Sequence, residues 1–166
     1  MPSLTLRPMA PLDRDRLLAW RNDPFIVARS TSRRPVEADE HASWFARILA
    51  SPDALCFIAE LEGTPVGHAR FERIAPETCV ITAYLLPAHT GRGLGVTAIR
   101  LGCASARARW PGIRVVACVR DDNAAGRSAF VRAGFLPGAA GCCPAAHATL
   151  VLAGDAGPGA GGEGWR

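Results

Sequence analysis

Two hydrophobic periodicities alternate along this chain, one of two residues and one of three to four. Residues 37–50 place His41, Trp44, Phe45 and Ile48 on one side of a helix, because spacings of three and four return to the same face. Alternating or continuous apolar runs predict strands, and Pro and Gly between them predict turns. The predicted strands are residues 3–7, 55–61, 65–73, 79–86, 113–119 and 147–152, and the predicted helices are residues 12–22, 37–50, 96–110 and 123–134.

The strand runs in the middle of the chain are joined by short connections. Glu62-Gly63-Thr64 separates residues 55–61 from 65–73, and a loop with Pro76 leads to the next run. Short connections of this kind reverse the direction of the chain, whereas parallel strands need a long crossover. The three strands are therefore predicted to form an antiparallel meander.

Length and composition limit the architecture. A chain of 166 residues with 49% hydrophobic residues can bury one core but is short for two, so a single domain over residues 1–152 is predicted. Residues 153–166 are rich in Gly and Ala with few side chains that could pack, which predicts a disordered tail. Because the chain has no long apolar run and its start lacks the plan of a secretory signal, we expect a cytoplasmic protein without membrane contact.

The six cysteines favour neither a metal site nor a disulfide framework. They lie singly in apolar stretches, apart from one adjacent pair, with no Cys-x-x-Cys and no His at ligand spacing. Buried thiols are therefore preferred over disulfides or zinc, and no metal is expected. The cysteines are Cys56, Cys79, Cys103, Cys118, Cys142 and Cys143.

The net charge of +4 is concentrated in one segment. Residues 91–134 carry eight Arg against two Asp, whereas residues 1–90 carry ten Arg against eleven acids. A compact polyanion bound at that segment explains the pattern better than nucleic acid, whose footprint would spread basic residues over a face with interleaved aromatics. A solvated Arg-rich helix is the alternative for most of these residues taken singly. We expect no nucleic-acid partner.

The candidate anion site is the turn Gly91-Arg92-Gly93-Leu94-Gly95, which lies between a predicted strand and a predicted helix. Free backbone N–H groups at the start of a helix bind anions. The glycines remove side chains that would keep a phosphate from the backbone, and Arg92 adds a mobile positive charge. A dinucleotide-binding fingerprint would follow an early parallel strand and carry an acid about twenty residues later, and this turn has neither feature.

Two motifs, in this order, resemble the GNAT superfamily of N-acetyltransferases. Residues 85–96, Leu-Leu-Pro-Ala-His-Thr-Gly-Arg-Gly-Leu-Gly-Val, are similar to its acetyl-CoA loop, and residues 119–123, Phe130 and Ala133-Gly134-Phe135 are similar to its second signature. The resemblance extends over residues 4–152. It implies an α/β (α+β) fold with a mixed, mostly antiparallel central sheet flanked by helices. It also implies acetyl-CoA as the cofactor and direct acetyl transfer to an amine, without a protein nucleophile.

Residue by residue, the resemblance assigns the donor site to these two motifs. The strand that ends at Leu85 and Leu86 would splay from its neighbour and offer backbone groups to the pantetheine arm. A backbone N–H there would stabilise the oxyanion that forms during transfer. The expected cofactor-binding residues are Leu85, Leu86, Thr90, Gly91, Arg92, Gly93, Leu94, Gly95, Val96, Asn123, Gly126 and Phe130.

The sequence departs from the family pattern at three of these positions. Phe130 replaces the tyrosine that commonly acts as the acid, Gly126 replaces a frequent serine, and Thr90 stands where Arg or Gln is usual. These changes remove the usual acid and could weaken binding of the cofactor. The glycines that expose the backbone N–H groups of the turn are retained.

Other residues must then move the protons. Tyr84, the one tyrosine of the chain, is the candidate acid. His68 and Glu72 alternate on one face of their strand and are the candidate bases, with His41 behind them. A structural tyrosine at a sheet edge, structural histidines and a relay through water are the alternatives.

The front half of the chain resembles acetyltransferases that modify the 4-amino group of nucleotide-linked amino sugars in pseudaminic acid synthesis. The similar segments are residues 20–24, 41–45 and 65–71, although Trp-Arg-Asn-Asp also occurs in relatives that act on ribosomal protein N-termini. The acceptor is expected to be a small-molecule amine, preferably a nucleotide-linked amino sugar. A ribosomal protein N-terminus, an aminoglycoside, or a catalytically degenerate acyl-CoA-binding module are the alternatives. A monomer or homodimer is expected. The candidate acceptor-binding residues are Trp20, Arg21, Asn22, His41, Trp44 and Arg70, with core packing an equal interpretation for the two tryptophans.

Overall fold

The computed structural model describes residues 2–154, so most of the predicted tail lies outside the described residues. Seven strands form one sheet in the order β1-β2-β3-β4-β5-β7-β6. Short 3-10 turns occupy Pro11–Asp13 and Pro87–His89. The strands are β1 (Leu4–Pro8), β2 (Ala54–Leu61), β3 (Thr64–Ala75), β4 (Thr78–Leu85), β5 (Arg114–Arg120), β6 (Phe135–Pro137) and β7 (His147–Leu152), and the helices are α1 (Arg14–Arg21), α2 (Pro24–Arg29), α3 (Ala38–Ala50), α4 (Leu94–Arg109) and α5 (Ala124–Arg132).

The sheet consists of two antiparallel parts joined by one parallel pair. Strands β1 to β4 pair antiparallel in chain order, and β5, β7 and β6 pair antiparallel on the other side. Only β4 and β5 run parallel, and the 16-residue helix α4 forms the crossover between them. The predicted meander and the mixed, mostly antiparallel sheet are confirmed.

Helices cover both faces of the sheet. On one face, α4 and α5 pack over a large core in which Phe71, Val115 and Phe135 are fully buried. On the other face, α1 and α3 pack over a smaller cluster centred on Phe45 and Ile58. The strands alternate their side chains between the two faces. The candidate acceptor residues Trp20 and Trp44 lie on the second face, which is therefore called the acceptor side.

A buried carboxylate fixes the start of α1 on the acceptor side. Asp13 is fully buried and accepts hydrogen bonds from the Arg7 guanidinium at 2.7 and 2.8 Å, from Arg16 at 2.7 Å and from the Ala10 N–H at 2.9 Å. Burial of a charge is costly unless it is paired and hydrogen-bonded, and here every side of the carboxylate has a donor. The Arg7 guanidinium lowers the pKa of Asp13.

Two short elements, α2 and β6, were not predicted from the sequence. Asp23-Pro24 ends α1 as predicted, but Asp23 also caps α2 by accepting the Phe25 N–H at 2.8 Å, in a stretch predicted as a connection. Strand β6 has three residues, which is too short for a hydrophobic period to appear. It pairs with β7 at the edge of the sheet.

The preference for buried thiols over disulfides is wrong for two cysteines. Cys118 on β5 and Cys143, which precedes β7, form a disulfide. Pairing of β5 with β7 brings these positions together, and sequence spacing does not reveal such pairing. Cys79 and Cys103 are buried as expected, and Cys56 and Cys142 are partly exposed. Within residues 2–154, no helix is both long and apolar enough to cross a bilayer.

Candidate active site

The central feature of the site is a gap between β4 and β5. The two strands pair at four positions only, and the last paired residues are Ile81 and Ala117. Beyond this point β4 continues to Leu85 and β5 to Arg120 without pairing to each other. The gap therefore opens four residues before Leu85, earlier along β4 than the sequence predicted.

Backbone groups of β4 line this gap. The Leu86 N–H donates to the Val66 carbonyl at 2.9 Å, so Leu86 faces β3. Antiparallel pairing alternates direction at each residue, which turns the N–H and C=O of Leu85 and Ala83 toward the gap. The predicted cofactor residue Leu85 therefore faces the gap. The predicted residue Leu86 does not, because its N–H is already bonded to Val66. Ala83 also faces the gap and was not among the predicted residues.

A glycine on the neighbouring strand lets β4 lean away from β5. Gly67 pairs with Leu85, and a Cβ at Gly67 would lie 2.5 Å from the Tyr84 carbonyl oxygen and 2.6 Å from a Leu85 methyl carbon. Since atoms cannot approach so closely, any side chain at this position would displace the end of β4. An isolated glycine inside a strand pattern can indicate such a close approach, but no prediction from the sequence was based on Gly67.

The glycine turn at the end of β4 has the geometry of an anion site. Gly91 and Gly93 have φ angles of +73° and +77°, and a Cβ added at either would meet nothing within 4 Å. The first backbone hydrogen bond of α4 runs from the Thr97 N–H to the Gly93 carbonyl. Within residues 2–154, the N–H groups of residues 91–96 donate no backbone hydrogen bond outside a regular element. They remain available to a ligand at the positive end of a four-turn helix.

The side chains of the turn divide into anchors and free groups. Leu94 and Val96 are buried and hold the first turn of α4 against the sheet. Arg92 is exposed, and the Thr90 hydroxyl donates to the Pro87 carbonyl at 2.9 Å. A phosphate-bearing group fits this open turn because the backbone, rather than a side chain, supplies the donors.

The second motif lies at the same edge of the sheet, because β4 and β5 are parallel and their carboxyl ends coincide. Asn123 caps α5 by accepting the Gly126 N–H at 2.9 Å. A Cβ at Gly126 would lie 2.5 Å from the Asn123 amide nitrogen, so a larger residue at this position would require the Asn123 side chain to shift. Phe130 is buried and packs edge to face on Phe135 with ring centroids 5.0 Å apart.

Four aromatic and imidazole rings form a row on the acceptor side. Consecutive ring centroids lie 5.3 Å apart for His41 and Trp44, 6.5 Å for Trp44 and His68, and 5.7 Å for His68 and Tyr84. His68 and Tyr84 are cross-strand partners on β3 and β4. The structure thus brings together candidate residues from a helix and two strands, next to the end of β4 that leads into the glycine turn.

Burial decides the protonation of this row. It lowers the pKa of His68 to about 3 and lowers that of His41, and the Nε2 atoms of both have no hydrogen-bond partner within the described residues. Burial raises the pKa of Tyr84, so its hydroxyl keeps its proton at neutral pH. The candidate base Glu72 is engaged with Arg70 at 3.0 Å. Tyr84 therefore holds a proton at neutral pH, whereas neither His68 nor Glu72 is well suited to accept one.

Arginines pair with three acids that lie near the candidate acceptor residues or in the second motif. Each of the acids Glu40, Glu72 and Asp122 is paired with at least one arginine. The partners are Arg34 for Glu40, Arg70 for Glu72, and Arg33 and Arg120 for Asp122. One of these partners is distant in the sequence: Arg33 pairs with Asp122 across 89 positions, and nothing in the sequence predicted this pair.

Arg21 is the arginine of this region that lacks an acid. Its guanidinium donates to the Ser32 hydroxyl at 2.9 Å, and no ion pair within residues 2–154 includes it. Burial lowers the pKa of Arg21; Tyr84 and Glu40 act in the opposite direction, and Arg34 and Arg70 act in the same direction as burial. An arginine nevertheless stays charged in proteins, so this group is a half-buried cation that no carboxylate of residues 2–154 contacts directly.

The remaining predicted acceptor residues have structural contacts. The Asn22 amide donates to the Val36 carbonyl at 2.9 Å and accepts the Val36 N–H at 2.7 Å, so both ends of its side chain hold the segment before α3. Trp20 packs against the core cluster of Phe45, beneath the Arg16 guanidinium. Trp44 also borders this cluster, but it contacts His68 and lies 5.2 Å from the Arg70 guanidinium.

Comparisons with known proteins agree with this geometry. The sequence profile described as "Acetyltransferase (GNAT) domain" matches residues 3–136. No match was found among curated protein sequences.

Three solved structures illustrate the likeness in fold. AAC(6')-Ib, in complex with paromomycin and acetyl-CoA, is 24% identical over 90% of this chain and 93% of that chain, with a TM-score of 0.76. A spermidine N-acetyltransferase from Vibrio cholerae, in complex with CoA and spermine, is 16% identical over 89% and 92%, with a TM-score of 0.75. A domain from Methanocaldococcus jannaschii is 18% identical over 92% and 99%, with a TM-score of 0.79.

The family profile covers most of the chain and includes the β4–β5 gap and the glycine turn. The chain therefore belongs to the GNAT family of acetyl-CoA-dependent acetyltransferases.

Proposed function

We propose that the protein transfers the acetyl group of acetyl-CoA to a primary amine on a molecule that also carries negative charge, preferably a nucleotide-linked amino sugar. The observation that carries this proposal is Arg21, a half-buried cation that forms no direct ion pair within residues 2–154 and lies near Tyr84 and Arg70. A phosphate of the acceptor would provide the missing partner.

The donor is assigned to the glycine turn and the gap. The free amides of residues 91–96 and the exposed Arg92 would bind the pyrophosphate, with the α4 dipole adding to the attraction. The Leu85 and Ala83 N–H groups face the gap and would bind the pantetheine arm and the thioester carbonyl. Backbone donors fixed in this way stabilise developing oxyanion charge without reorganising.

Proton transfer is assigned to Tyr84 and water. Tyr84 keeps its proton at neutral pH and would protonate the leaving thiolate. A base with a pKa of about 3, such as His68, holds a proton too weakly to deprotonate an ammonium group. We therefore assign removal of the amine proton to water, and a positioning role to His68 beneath Tyr84.

The charge of the acceptor side argues against polycations. The solved relatives bind paromomycin and spermine, both of which carry several amines. Around Arg21 and Arg70, the acids Glu40 and Glu72 are paired with arginines, and Arg21 remains positive. We expect Arg21 to repel a polycation at this point of the site, because like charges in a partly buried site interact strongly.

Two of the three alternatives are supported by specific observations. The likeness in fold to an aminoglycoside acetyltransferase keeps that acceptor class in view, and a ribosomal protein N-terminus belongs to the same amine-acetylating class. Phe130 cannot supply a proton, which favours a catalytically degenerate acyl-CoA-binding module if Tyr84 is misplaced. The proposal also includes a cytoplasmic location, a monomer or homodimer, and no nucleic-acid or membrane partner.

A panel of amines tests the proposal. Thiol release from acetyl-CoA is measured with a nucleotide-linked 4-amino sugar, the same amino sugar without its nucleotide, paromomycin, spermidine and a ribosomal protein N-terminal peptide. We expect the nucleotide-linked sugar to give the highest kcat/KM. Preference for paromomycin or spermidine would overturn the anionic-acceptor assignment, and tight CoA binding without any turnover would favour the degenerate module.

A pair of variants localises the effect to Arg21. Arg21→Gln removes the charge but keeps a polar side chain, and should raise KM for the nucleotide-linked sugar about ten- to hundred-fold, because hydrogen bonds to charged groups are worth about 1.5–3 kcal/mol. The control Arg47→Gln removes an exposed charge from α3 and should leave KM unchanged. Equal KM values for the two variants would contradict the assignment.

A further inference from the structure

Three sulfur atoms lie together at the border of the gap. Cys118 and Cys143 form the disulfide, and the Sγ atom of Cys142 lies within 4.8 Å of both of their Sγ atoms. All three residues are partly exposed. The other cysteines differ, because burial raises the pKa of Cys56 and Cys79 to about 11. Thiol chemistry is therefore concentrated at this cluster.

The position of Cys118 relates the cluster to the donor site. Cys118 is the first residue of β5 beyond Ala117, the last residue paired with β4, so its backbone borders the gap. Ala117 and Val119 point into the core beneath α4 and α5, which turns Cys118 to the opposite face of the sheet. This is the acceptor face, which also carries Tyr84.

We propose that Cys118, Cys142 and Cys143 form a covalent capture site for a small thiol, and specifically for the coenzyme A that the reaction releases. This inference rests on the proposed function, because it requires coenzyme A to occupy the gap. Acetyl-CoA has no free thiol and is not captured. Capture would leave the coenzyme in its own site and block the next donor.

The chemical step needs no reagent beyond these groups. The coenzyme thiolate attacks Sγ of Cys118, a sulfur–sulfur bond forms between them, and the bond to Cys143 breaks with its electron pair on the Cys143 sulfur, which then takes a proton. The coenzyme sulfur is oxidised and Cys143 is reduced. Release is the reverse attack on Cys118.

Cys142 provides a second route of release. Its sulfur is as close to the cluster as a resolving thiol requires, and it resides in the same short segment as Cys143. Attack by the Cys142 thiolate on Sγ of Cys118 would expel coenzyme A and leave a Cys118–Cys142 disulfide. Removal of Cys142 should therefore lengthen the lifetime of the captured state.

Mass spectrometry of the full-length oxidised protein tests the proposal. The protein is incubated with coenzyme A, quenched by alkylation, and analysed intact and as peptides. We expect an adduct with the mass of one coenzyme A at Cys118, at least tenfold more abundant than the adduct from glutathione at the same concentration. Cys142→Ser should increase the amount of adduct. Adduct at another cysteine, or equal yields from the two thiols, would overturn the proposal.

A binding measurement separates this inference from the proposed function. Titration of Cys118→Ser with acetyl-CoA should show the affinity of the unchanged protein, because the donor is held by backbone groups. If this variant does not fold, the unchanged protein is titrated instead. Normal binding without adduct at Cys118 overturns the capture site alone, whereas absence of acetyl-CoA binding overturns the proposed function.

Discussion

Replacement of Gly93 by valine should separate binding of coenzyme A from stability of the fold. Gly93 has a φ of +77°, and a Cβ there would meet no protein atom within 4 Å, so Gly93→Val creates backbone strain without a clash. Side chains in the left-handed region cost about 1–2 kcal/mol. A domain with about 5–15 kcal/mol of stability remains folded after this loss, with Tm lowered by about 2–8 °C.

The effect on ligand affinity should be at least as large in free energy, and it should be easy to detect as a change in dissociation constant. The added side chain projects from the open side of the turn and keeps a phosphate from the amides at the start of α4. Each hydrogen bond from an amide to a charged oxygen is worth about 1.5–3 kcal/mol, so loss of one weakens coenzyme A binding by about ten- to hundred-fold. Calorimetric titration and thermal unfolding measure the two quantities on the same sample.

Gly112→Val is the matched control. Gly112 has the same φ of +77° and the same open surroundings, but it lies in the turn between α4 and β5, at the other end of the helix. Its valine variant should lose similar stability and bind coenzyme A as the unchanged protein does. Wild-type affinity in Gly93→Val, or equal losses of affinity in both variants, would refute the assignment of the turn.

Other substitutions probe the proton steps and the scaffold. Tyr84→Phe should lower kcat by about 10²-fold or more with KM for acetyl-CoA unchanged. Because burial raises the pKa of Tyr84, kcat of the unchanged protein should not fall from loss of this proton up to pH 10, and an alkaline fall below pH 10 that disappears in Tyr84→Phe would contradict its burial. Phe130→Tyr should raise kcat if protonation of the leaving group limits the rate, and unchanged kcat in stopped-flow transfer would exclude that limit. Asp13→Asn should cost about 1.5–3 kcal/mol, seen as a lower denaturant midpoint, because Arg7 and Arg16 lose a charged acceptor while Arg7 keeps its ion pair with Glu60. Since the folded pKa of Asp13 is depressed, its contribution is present above the unfolded pKa of about 3.9 and is lost as pH falls through the folded value, so acid should destabilise the unchanged protein more than the variant.

Local signals in the sequence were sufficient to predict most elements and the geometry of the glycine turn. The hydrophobic periods placed most strands and helices correctly, and the glycines at 91 and 93 have the positive φ angles that an open turn requires. Asn123 caps a helix as its position before a short helical pattern predicted. These features depend on neighbours within a few residues, which is why they can be predicted from one sequence.

The acceptor side depends on contacts that the sequence does not encode locally. Arg33 pairs with Asp122 across 89 positions, and Cys118 forms a disulfide with Cys143 of the segment that leads into the neighbouring strand β7. Burial of His68 changes its chemistry from a plausible base to a neutral group, and burial follows from the packing of α3 on β3 rather than from residue type. Charge balance on the acceptor side could therefore be judged only in three dimensions.

Gly67 lies on β3, outside the gap between β4 and β5, and we expect it to affect the width of that gap. Its missing side chain leaves room for the end of β4 to rest on β3. If a methyl group filled this space, the end of β4 would have to move toward β5. The gap between β4 and β5, in which the thioester is expected to bind, would then become narrower. The length of the acyl group that fits would then be restricted by an atom that does not contact the donor. We therefore expect that residues of β3 outside the ligand contacts can influence acyl-chain selectivity.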